Sequence, residues 1–150
     1  MLLNETDFKK IIYLTPLISI DLVVINALKQ VLLGYRSNRP ALGYWFVPGG
    51  RIRKDESIQD AFFRLTLEEI GKAYDINDAK FLGVFEHFYK DNYFDGNNTT
   101  HYVVLGYELH PLENVFSLPA QQHSAYKWLG ENEILTDMTV HSNTKAYFIK

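Results

Sequence analysis

Apolar and polar positions along the chain predict a mixture of strands and helices. Two apolar, β-branched runs, LISIDLVVI at 17–25 and QVLLGY at 30–35, are separated by a polar turn and predict adjacent strands. KFLGVFEHFY at 80–89 and THYVVLGYEL at 100–109 predict two longer strands joined by a polar loop. Because the strands are hydrophobic on both faces, we expect a central mixed β-sheet sandwiched between α-helices, an α/β fold.

Shorter elements account for most of the remaining chain. YWFVPGG at 44–50 predicts a short strand that runs into a break, and SAYKWL at 124–129 predicts a further strand. NETDFKKIIYL at 4–14 begins with capping side chains and predicts a short helix that ends near Pro16. HSNTKAYFI at 141–149 predicts a last helix.

The clearest helix covers residues 57–71. Asp55 or Ser57 is placed to cap its start, and Gly71 is placed to end it. At about 100° per residue, one apolar stripe contains four side chains: Ile58, Ala61, Phe62 and Leu65. A second stripe on the opposite side contains three: Phe63, Leu67 and Ile70. We therefore expect this helix to pack between two layers.

Two carboxylates near the end of this helix have different predicted roles. Glu69 continues the first stripe one turn beyond Leu65, and a carboxylate on a buried line needs a charged partner or a metal ion. Glu68 lies one turn from Arg64, so an ordinary ion pair explains it. Glu69 is therefore the stronger candidate for a metal ligand.

Composition bounds the class of protein. A chain of 150 residues, 47% of them hydrophobic, can form a substantial core, and we expect a single domain over residues 1–150. The net charge of -3 argues against a general nucleic-acid binder, and the absence of cysteine excludes disulfides and thiolate metal sites. Neither a secretory leader pattern nor an apolar run of about 18 residues is present, so we expect a cytoplasmic protein with no membrane partner.

A local excess of positive charge surrounds the glycine pair of YWFVPGG. Five basic side chains fall in this part of the chain: Arg36, Arg39, Arg51, Arg53 and Lys54. Gly49 and Gly50 can turn the chain with positive φ and bring a backbone carbonyl close to an ion or a phosphate. The pattern favours a site for a small polyanion over the alternative, a solvated basic face.

Polar and aromatic residues elsewhere add to the candidate chemistry. Asp21 interrupts an apolar strand, and a buried carboxylate has a high free-energy cost unless it has a polar partner in a site. Tyr93 and Phe94, in the loop after the first long strand, can stack on a base or cover the hydrophobic core.

Six residues with fixed spacing resemble the Nudix box, G-x5-E-x7-R-E-U-x-E-E-x-G-U, in which U is aliphatic: Gly50, Glu56, Arg64, Glu68, Glu69 and Gly71. The departures are Leu65 for the first glutamate after the arginine, Thr66 for the aliphatic residue, and Lys72 at the end. Over nearly the whole chain, LTPLISIDLVV, LLGYRSNRPALGYWFVPGGR, FRLT, HFYKDN, TTHYVVLGY and QQHSAYKWL resemble the GDP-mannose mannosyl hydrolase branch of the Nudix superfamily. That branch carries the reduced box, so Leu65 agrees with it.

The resemblance implies a Nudix fold and a catalytic site. It implies a Mg²⁺ ion, with Mn²⁺ as an alternative cation, bound by three ligands: the Gly49 carbonyl, Glu69 and Gln122. It implies His123 as general base and Arg36 as the group that stabilises the departing diphosphate. Arg51, Tyr102 and Arg64 would contact or orient the phosphate region, and Asp21 and His87 would lie near the sugar. The implied reaction is hydrolysis of GDP-mannose, or GDP-glucose, at sugar C1 with inversion, by a homodimer.

Plainer interpretations exist for the same residues. Without the resemblance, His123 and Gln122 in QQHSAY are consistent with ordinary polar loop residues, and Tyr102 with strand packing. Two other functions also fit a Nudix fold. One is a conventional pyrophosphohydrolase that releases GMP and a sugar phosphate, and the other is a non-catalytic nucleotide-sugar sensor. The sensor is disfavoured because binding alone has no need of a base beside a metal ligand.

Overall fold

The computed structural model describes residues 2–112, 118, 123 and 125–150. The α-helices within them are α1 (Glu5–Leu14), α2 (Ile58–Ile70), α3 (Glu131–Thr136) and α4 (Ser142–Lys145). The strands are β1 (Leu17–Val24), β2 (Gln30–Tyr35), β3 (Trp45–Phe46), β4 (Gly49–Arg51), β5 (Lys80–Tyr89), β6 (Thr100–Leu109) and β7 (Tyr126–Gly130). A 3₁₀ turn covers Ile76–Asp78. Within the described ranges, no helix is long and apolar enough to cross a membrane.

The strands form two sheets. The larger is mixed, with strand order β4-β1-β6-β5; β1 and β6 are parallel, and the other pairs are antiparallel. The smaller is antiparallel, with order β3-β2-β7. The prediction that β1 and β2 are adjacent strands was wrong as a statement about pairing, although Ile25 still bridges Val31. Both edges of β1 are already occupied, by β4 and β6, so β2 pairs elsewhere.

Two core clusters confirm that helices cover the sheets on both sides. Alternate residues of β1, including Ile20 and Leu22, pack with the buried face of α2. Val23, on the other face of β1, packs with β2 and with Ile134 of α3. The sequence analysis did not predict α3. Its six residues show little periodicity, and its clearest sequence signal is Glu133, whose side chain accepts from the Gly130 N–H.

The helix predicted at 57–71 is present as α2. Ser57 caps it by accepting from the Asp60 N–H, and Gly71 ends it with a φ of 84°. The expectation of two covered faces was wrong, because Phe63 and Leu67 are 55% and 52% exposed. Helical periodicity identifies apolar stripes, but it does not determine which stripe another element covers.

The glycine pair adopts a different conformation from the one predicted. Gly49 and Gly50 lie in the extended strand β4, and neither has a positive φ. A side chain at Gly49 would collide with the Ile20 carbonyl, and a Cβ at Gly50 would lie 2.5 Å from Leu65 Cδ2. Glycine is therefore required at Gly49 because the Ile20 backbone approaches closely, not because the chain turns, and at Gly50 the close neighbour is the end of the Leu65 side chain.

Leu65 fills the space that Gly50 leaves open and is 2% exposed. We expect Leu65→Glu to lower the free energy of unfolding by about 3 kcal/mol or more, because it buries a charge one turn from Glu69. Leu65→Met is the control and is expected to cost less than about 1.5 kcal/mol. Urea unfolding of both variants tests this, and equal stabilities would contradict the packing role of Leu65.

Candidate active site

A cleft opens between the two sheets. The residues that line it come from five strands and the connecting loops: Ser19, Asp21, Arg36, Pro40, Phe46, Val47, Gly49, Gly50, Arg51, His87, Tyr89, Tyr102 and His123. Seven residues predicted from the sequence are among them: Asp21, Arg36, Gly49, Arg51, His87, Tyr102 and His123. The structure therefore brings together residues that lie far apart in the chain. Gln122 lies outside the described residues.

Arg64 lies outside the lining of the cleft and joins α2 to β4. Its Nε donates to Glu56 Oε2 at 2.6 Å, and its Nη1 donates to Glu68 Oε2 at 3.0 Å. Its Nη2 donates to both Glu56 Oε1 and the Arg51 carbonyl, at 2.9 Å each. Arg64 thus fixes the backbone of Arg51, which lines the cleft. The ion pair predicted between Arg64 and Glu68 is confirmed.

Glu69 lies beside the lining residue His123 but is not itself among the residues that line the cleft. Glu69 is 6% exposed and His123 is 8% exposed, and 3.7 Å separates Glu69 Oε2 from His123 Nε2. Among the described residues, Glu69 Oε2 and His123 Nδ1 have no hydrogen-bond partner. The predicted burial of Glu69 is confirmed. Two buried polar atoms with unused hydrogen-bonding capacity are typical of a site that awaits a ligand.

The position of His123 depends on a glycine in β2. A Cβ at Gly34 would collide with the His123 ring, with its Cδ2 atom at 2.7 Å. The imidazole also meets the Tyr126 ring edge to face, with ring centroids 5.4 Å apart. His123 therefore lies against β2 inside the cleft, which an ordinary polar loop residue would not require.

Asp21 has the polar partner that a buried carboxylate requires. The Tyr147 hydroxyl donates to Asp21 Oδ2 at 2.6 Å. Burial raises the pKa of Asp21 to about 7, and this rise persists despite the opposing effects of Tyr147 and the Arg36 charge. The sequence analysis did not identify Tyr147 as part of the site. Only its position in an apolar C-terminal segment could be read from the chain, and nothing there indicates contact with β1.

The aromatic side of the cleft surrounds His87. His87 is 4% exposed, and its ring meets Phe46 and Tyr89 edge to face, at centroid distances of 6.0 and 6.3 Å. Burial lowers the pKa of His87 to about 4, so the imidazole is neutral at neutral pH. Its Nε2 has no hydrogen-bond partner within the described chain. A neutral imidazole in this position can exchange hydrogen bonds with a hydroxyl of a bound molecule.

The basic cluster divides into two groups. Arg36 and Arg51 line the cleft, and Arg36 Nε donates to the Pro40 carbonyl at 2.8 Å. The other three approach carboxylates: Arg39 with Asp91 at 3.8 Å, Arg53 with Glu68 at 3.7 Å, and Lys54 with Asp55 at 3.5 Å. Two arginines therefore line the cleft, which supports an anion site there, whereas the other three basic residues approach carboxylates.

The loop aromatics Tyr93 and Phe94 pack against α1. Their rings lie 6.4 and 5.8 Å from that of Phe8. The Arg51 guanidinium lies over the ring of the same phenylalanine, 5.5 Å from the Phe8 ring centroid. This contact links the loop to the cleft through Arg51. Tyr93 is 52% exposed, so it retains a free ring surface beside the site.

The Glu69 carboxylate suits a divalent cation. A buried carboxylate oxygen without a hydrogen bond is a hard ligand of the kind that Mg²⁺ prefers. Gly50 and Glu69 are close, since Glu69 Oε1 lies 3.8 Å from the position of a Gly50 Cβ. Within the described ranges, no group of three or more His, Asp or Glu side chains could hold a metal ion.

The ion pair between Arg64 and Glu56 makes the free energy of unfolding depend on pH in the acid range. The Arg64 guanidinium holds the pKa of Glu56 at about 2, below the ordinary value of 4.5. A lowered pKa in the folded state stabilises the protein above about pH 4.5, and that contribution is lost as pH falls toward 2. Glu56→Gln should therefore be less stable than wild type at pH 6, with the difference shrinking below pH 4.5. Urea unfolding across this range measures it, and a difference independent of pH would contradict the ion pair.

Known proteins match this architecture. The NUDIX domain family model matches residues 15–149. Over 105 residues the chain is 40% identical to the low-salt glycan biosynthesis protein Agl8 of Haloferax volcanii. The match covers 70% of this chain and 65% of Agl8, so the chain spans less than two thirds of the length of that relative.

Solved structures share the fold. The MutT NUDIX hydrolase from Burkholderia pseudomallei superposes with a TM-score of 0.71 and 23% identity, covering 89% of this chain and 96% of that chain. The NUDIX domain of Shewanella oneidensis NrtR, complexed with ADP ribose, superposes with a TM-score of 0.65 and 21% identity. The match covers 97% of this chain and 95% of that chain. The expected fold, with a mixed sheet between helices, is confirmed, and the chain belongs to the Nudix hydrolase family.

Proposed function

We propose that the protein hydrolyses a nucleoside diphosphate sugar, GDP-mannose or GDP-glucose, at sugar C1 and releases GDP and the free sugar. The observation that carries this proposal is the arrangement of the cleft, where the lining residue His123 lies beside Glu69, and Arg36, directly after β2, belongs to the same lining. Membership of a hydrolase family supports it. So does the similarity to a relative whose name refers to glycan biosynthesis.

Nudix hydrolases generally use divalent metal ions such as Mg²⁺, and three residues of this chain are proposed ligands. Glu69 would supply a carboxylate, Gly49 its carbonyl and Gln122 its side chain, and Mn²⁺ has the same preference for oxygen ligands. When bound, the cation supplies positive charge that neutralises the diphosphate as it departs.

His123 is the proposed general base. Water adds to C1 on the face opposite the diphosphate, its proton passes to the imidazole, and the C1–O bond breaks with its electron pair moving to GDP. Burial against Gly34 holds the ring in one place, which general base catalysis requires. Its Nδ1 has no hydrogen-bond partner among the described residues, and its Nε2 lies 3.7 Å from Glu69 Oε2, so the ring has capacity to bind the attacking water.

Arg36 is the proposed stabiliser of the leaving group. A guanidinium near the diphosphate lowers the energy of the negative charge that develops there, so a protonating acid is not needed. The bond from Arg36 Nε to the Pro40 carbonyl orients the side chain before substrate arrives. Arg51 and Tyr102 would contact the phosphate region from β4 and β6, and Arg64 would act through the Arg51 backbone.

The two ends of the cleft suggest how substrate lies in it. Asp21 and His87 are both buried and polar, and they suit the hydroxyl groups of a sugar. The half-exposed ring of Tyr93, beside Arg51 and Phe8, suits the nucleoside side. The diphosphate would then lie between them, near Arg36 and Arg51.

The state of the carboxylates that match the Nudix box favours attack at carbon over attack at phosphorus. Glu56 and Glu68 are engaged by Arg64, and Leu65 packs against Gly50 where the family pattern has another glutamate. Glu69 is the one helix carboxylate of the box that is directed toward His123. A single cation that neutralises diphosphate is sufficient for C1 substitution. Leu65→Glu is accordingly not expected to restore GMP release.

The alternatives have less support. A conventional pyrophosphohydrolase would use clustered carboxylates to place water against phosphorus, and the ion pairs of Arg64 remove two of them. A nucleotide-sugar sensor has no use for a buried imidazole beside a buried carboxylate. A single domain over residues 1–150, a homodimer and a cytoplasmic location stay predictions from the sequence.

Glu69 and Glu68 provide a matched pair for testing the metal site. Glu69→Gln should reduce turnover of GDP-mannose by on the order of 10²-fold or more and raise the Mg²⁺ concentration needed for half-maximal rate. Glu68→Gln should be milder, because Glu68 is engaged by Arg64 and Arg53. Steady-state rates measured against Mg²⁺ concentration decide this, and equal losses would refute the assignment.

The bond that breaks can be identified with ¹⁸O-labelled water. Attack at C1 places the label in mannose, whereas attack at phosphorus places it in a phosphate group. We expect labelled mannose and unlabelled GDP by mass spectrometry. Labelled GMP or mannose 1-phosphate would overturn the proposed reaction and favour a pyrophosphohydrolase.

A further inference from the structure

Asp21 lies between two glycines in the larger sheet. In the strand register it is opposite Gly49 of β4 on one side and Gly106 of β6 on the other. Each glycine leaves a gap next to the carboxyl group. Different groups lie in the two gaps: aromatic rings at Gly106, and an oxygen of Asp21 itself at Gly49.

The gap at Gly106 admits the ring of Tyr147. A Cβ at Gly106 would lie 2.8 Å from Tyr147 Cε1 and 3.2 Å from Phe85 Cε2. The Tyr147 and Phe85 rings meet edge to face with centroids 4.6 Å apart. Tyr147 therefore crosses β6 at the residue beside Asp21 and extends its hydroxyl to Oδ2.

The gap at Gly49 lies beside the other carboxyl oxygen. Asp21 Oδ1 lies 2.8 Å from the position of a Gly49 Cβ, and Asp21 and Gly49 both line the cleft. One oxygen is thus held by Tyr147, and the other lies beside β4, next to residues that line the cleft. A carboxylate fixed in this way presents one acceptor in a defined orientation.

The segment that carries Tyr147 is itself fixed to the wall of the cleft. The N–H of Val47, a lining residue, donates to the Thr144 hydroxyl at 3.3 Å, and Thr144 is fully buried. The N–H of Tyr147 donates to the Thr144 carbonyl at 3.2 Å. Burial and the nearby Asp21 raise the pKa of Tyr147, so its hydroxyl remains a donor.

We propose that Tyr147 is a positioning residue that orients the Asp21 carboxyl group to accept a hydrogen bond from a sugar hydroxyl of the substrate. The inference rests on the proposed function, because it assigns the Asp21 end of the cleft to the sugar. It makes the C-terminal segment part of the sugar subsite, although Tyr147 itself does not contact substrate.

The test compares Tyr147→Phe with wild type. The phenylalanine ring keeps the packing on Phe85 and loses only the hydroxyl. We expect kcat/KM for GDP-mannose to fall by about 10-fold, the effect of losing one ordinary hydrogen bond. The inhibition constant of GDP, which lacks the sugar, should stay within about twofold of wild type.

Two further variants separate positioning from a general structural effect. Tyr107→Phe is the control, because Tyr107 packs against Phe62 and Phe81 outside the cleft and should leave both constants unchanged. In an Asp21→Ala background, Tyr147→Phe should cause no further loss, since Tyr147 acts through Asp21.

Several results would overturn this role. They are wild-type kinetics in Tyr147→Phe, an equal rise in the inhibition constant of GDP, or an additive loss in the double variant. A wild-type protein that hydrolyses neither GDP-mannose nor GDP-glucose would instead refute the proposed function on which the inference rests. That failure is visible before any variant is made.

Discussion

The contact between α2 and β4 determines where the buried carboxylate lies. Because Gly50 has no side chain, Leu65 packs directly onto the strand, and Glu69 follows one turn later beside the same glycine. Arg64 reinforces this contact through its bonds to Glu56 and to the Arg51 carbonyl. A shift of the helix along the strand would break these bonds and move Glu69 away from His123. The leucine that departs from the Nudix pattern is therefore part of the scaffold of the site.

Glycines also provide space for other functional side chains of the cleft. Gly34 makes room for the His123 ring, and Gly49 makes room beside Asp21 Oδ1. In each case a side chain from one element lies against the bare backbone of a neighbouring strand. This arrangement confines polar groups without adding competing hydrogen-bond partners, so their capacity remains available to substrate and cation. Catalysis by preorganised groups depends on such confinement.

The sequence was sufficient for local features and insufficient for long-range ones. The caps of α2, the burial of Glu69 and the need of Asp21 for a partner followed from spacing and from the free-energy cost of burying charge. The separation of β1 and β2 into two sheets could not be predicted from spacing, because strand pairing depends on which edges distant strands occupy. The bond from Tyr147 to Asp21 spans 126 positions, and no local pattern encodes it. The exposure of Phe63 likewise depends on what covers the helix, which periodicity does not specify.

In the proposed reaction, the cleft directs water to the sugar carbon from the face opposite the diphosphate. The stereochemistry of the released sugar distinguishes this direction of attack from the alternatives. Substitution of α-linked GDP-mannose with inversion must release β-mannose first. Proton NMR recorded early, before the anomers equilibrate, should therefore show the β anomer in excess. Initial release of α-mannose, or the appearance of mannose 1-phosphate, would contradict the account.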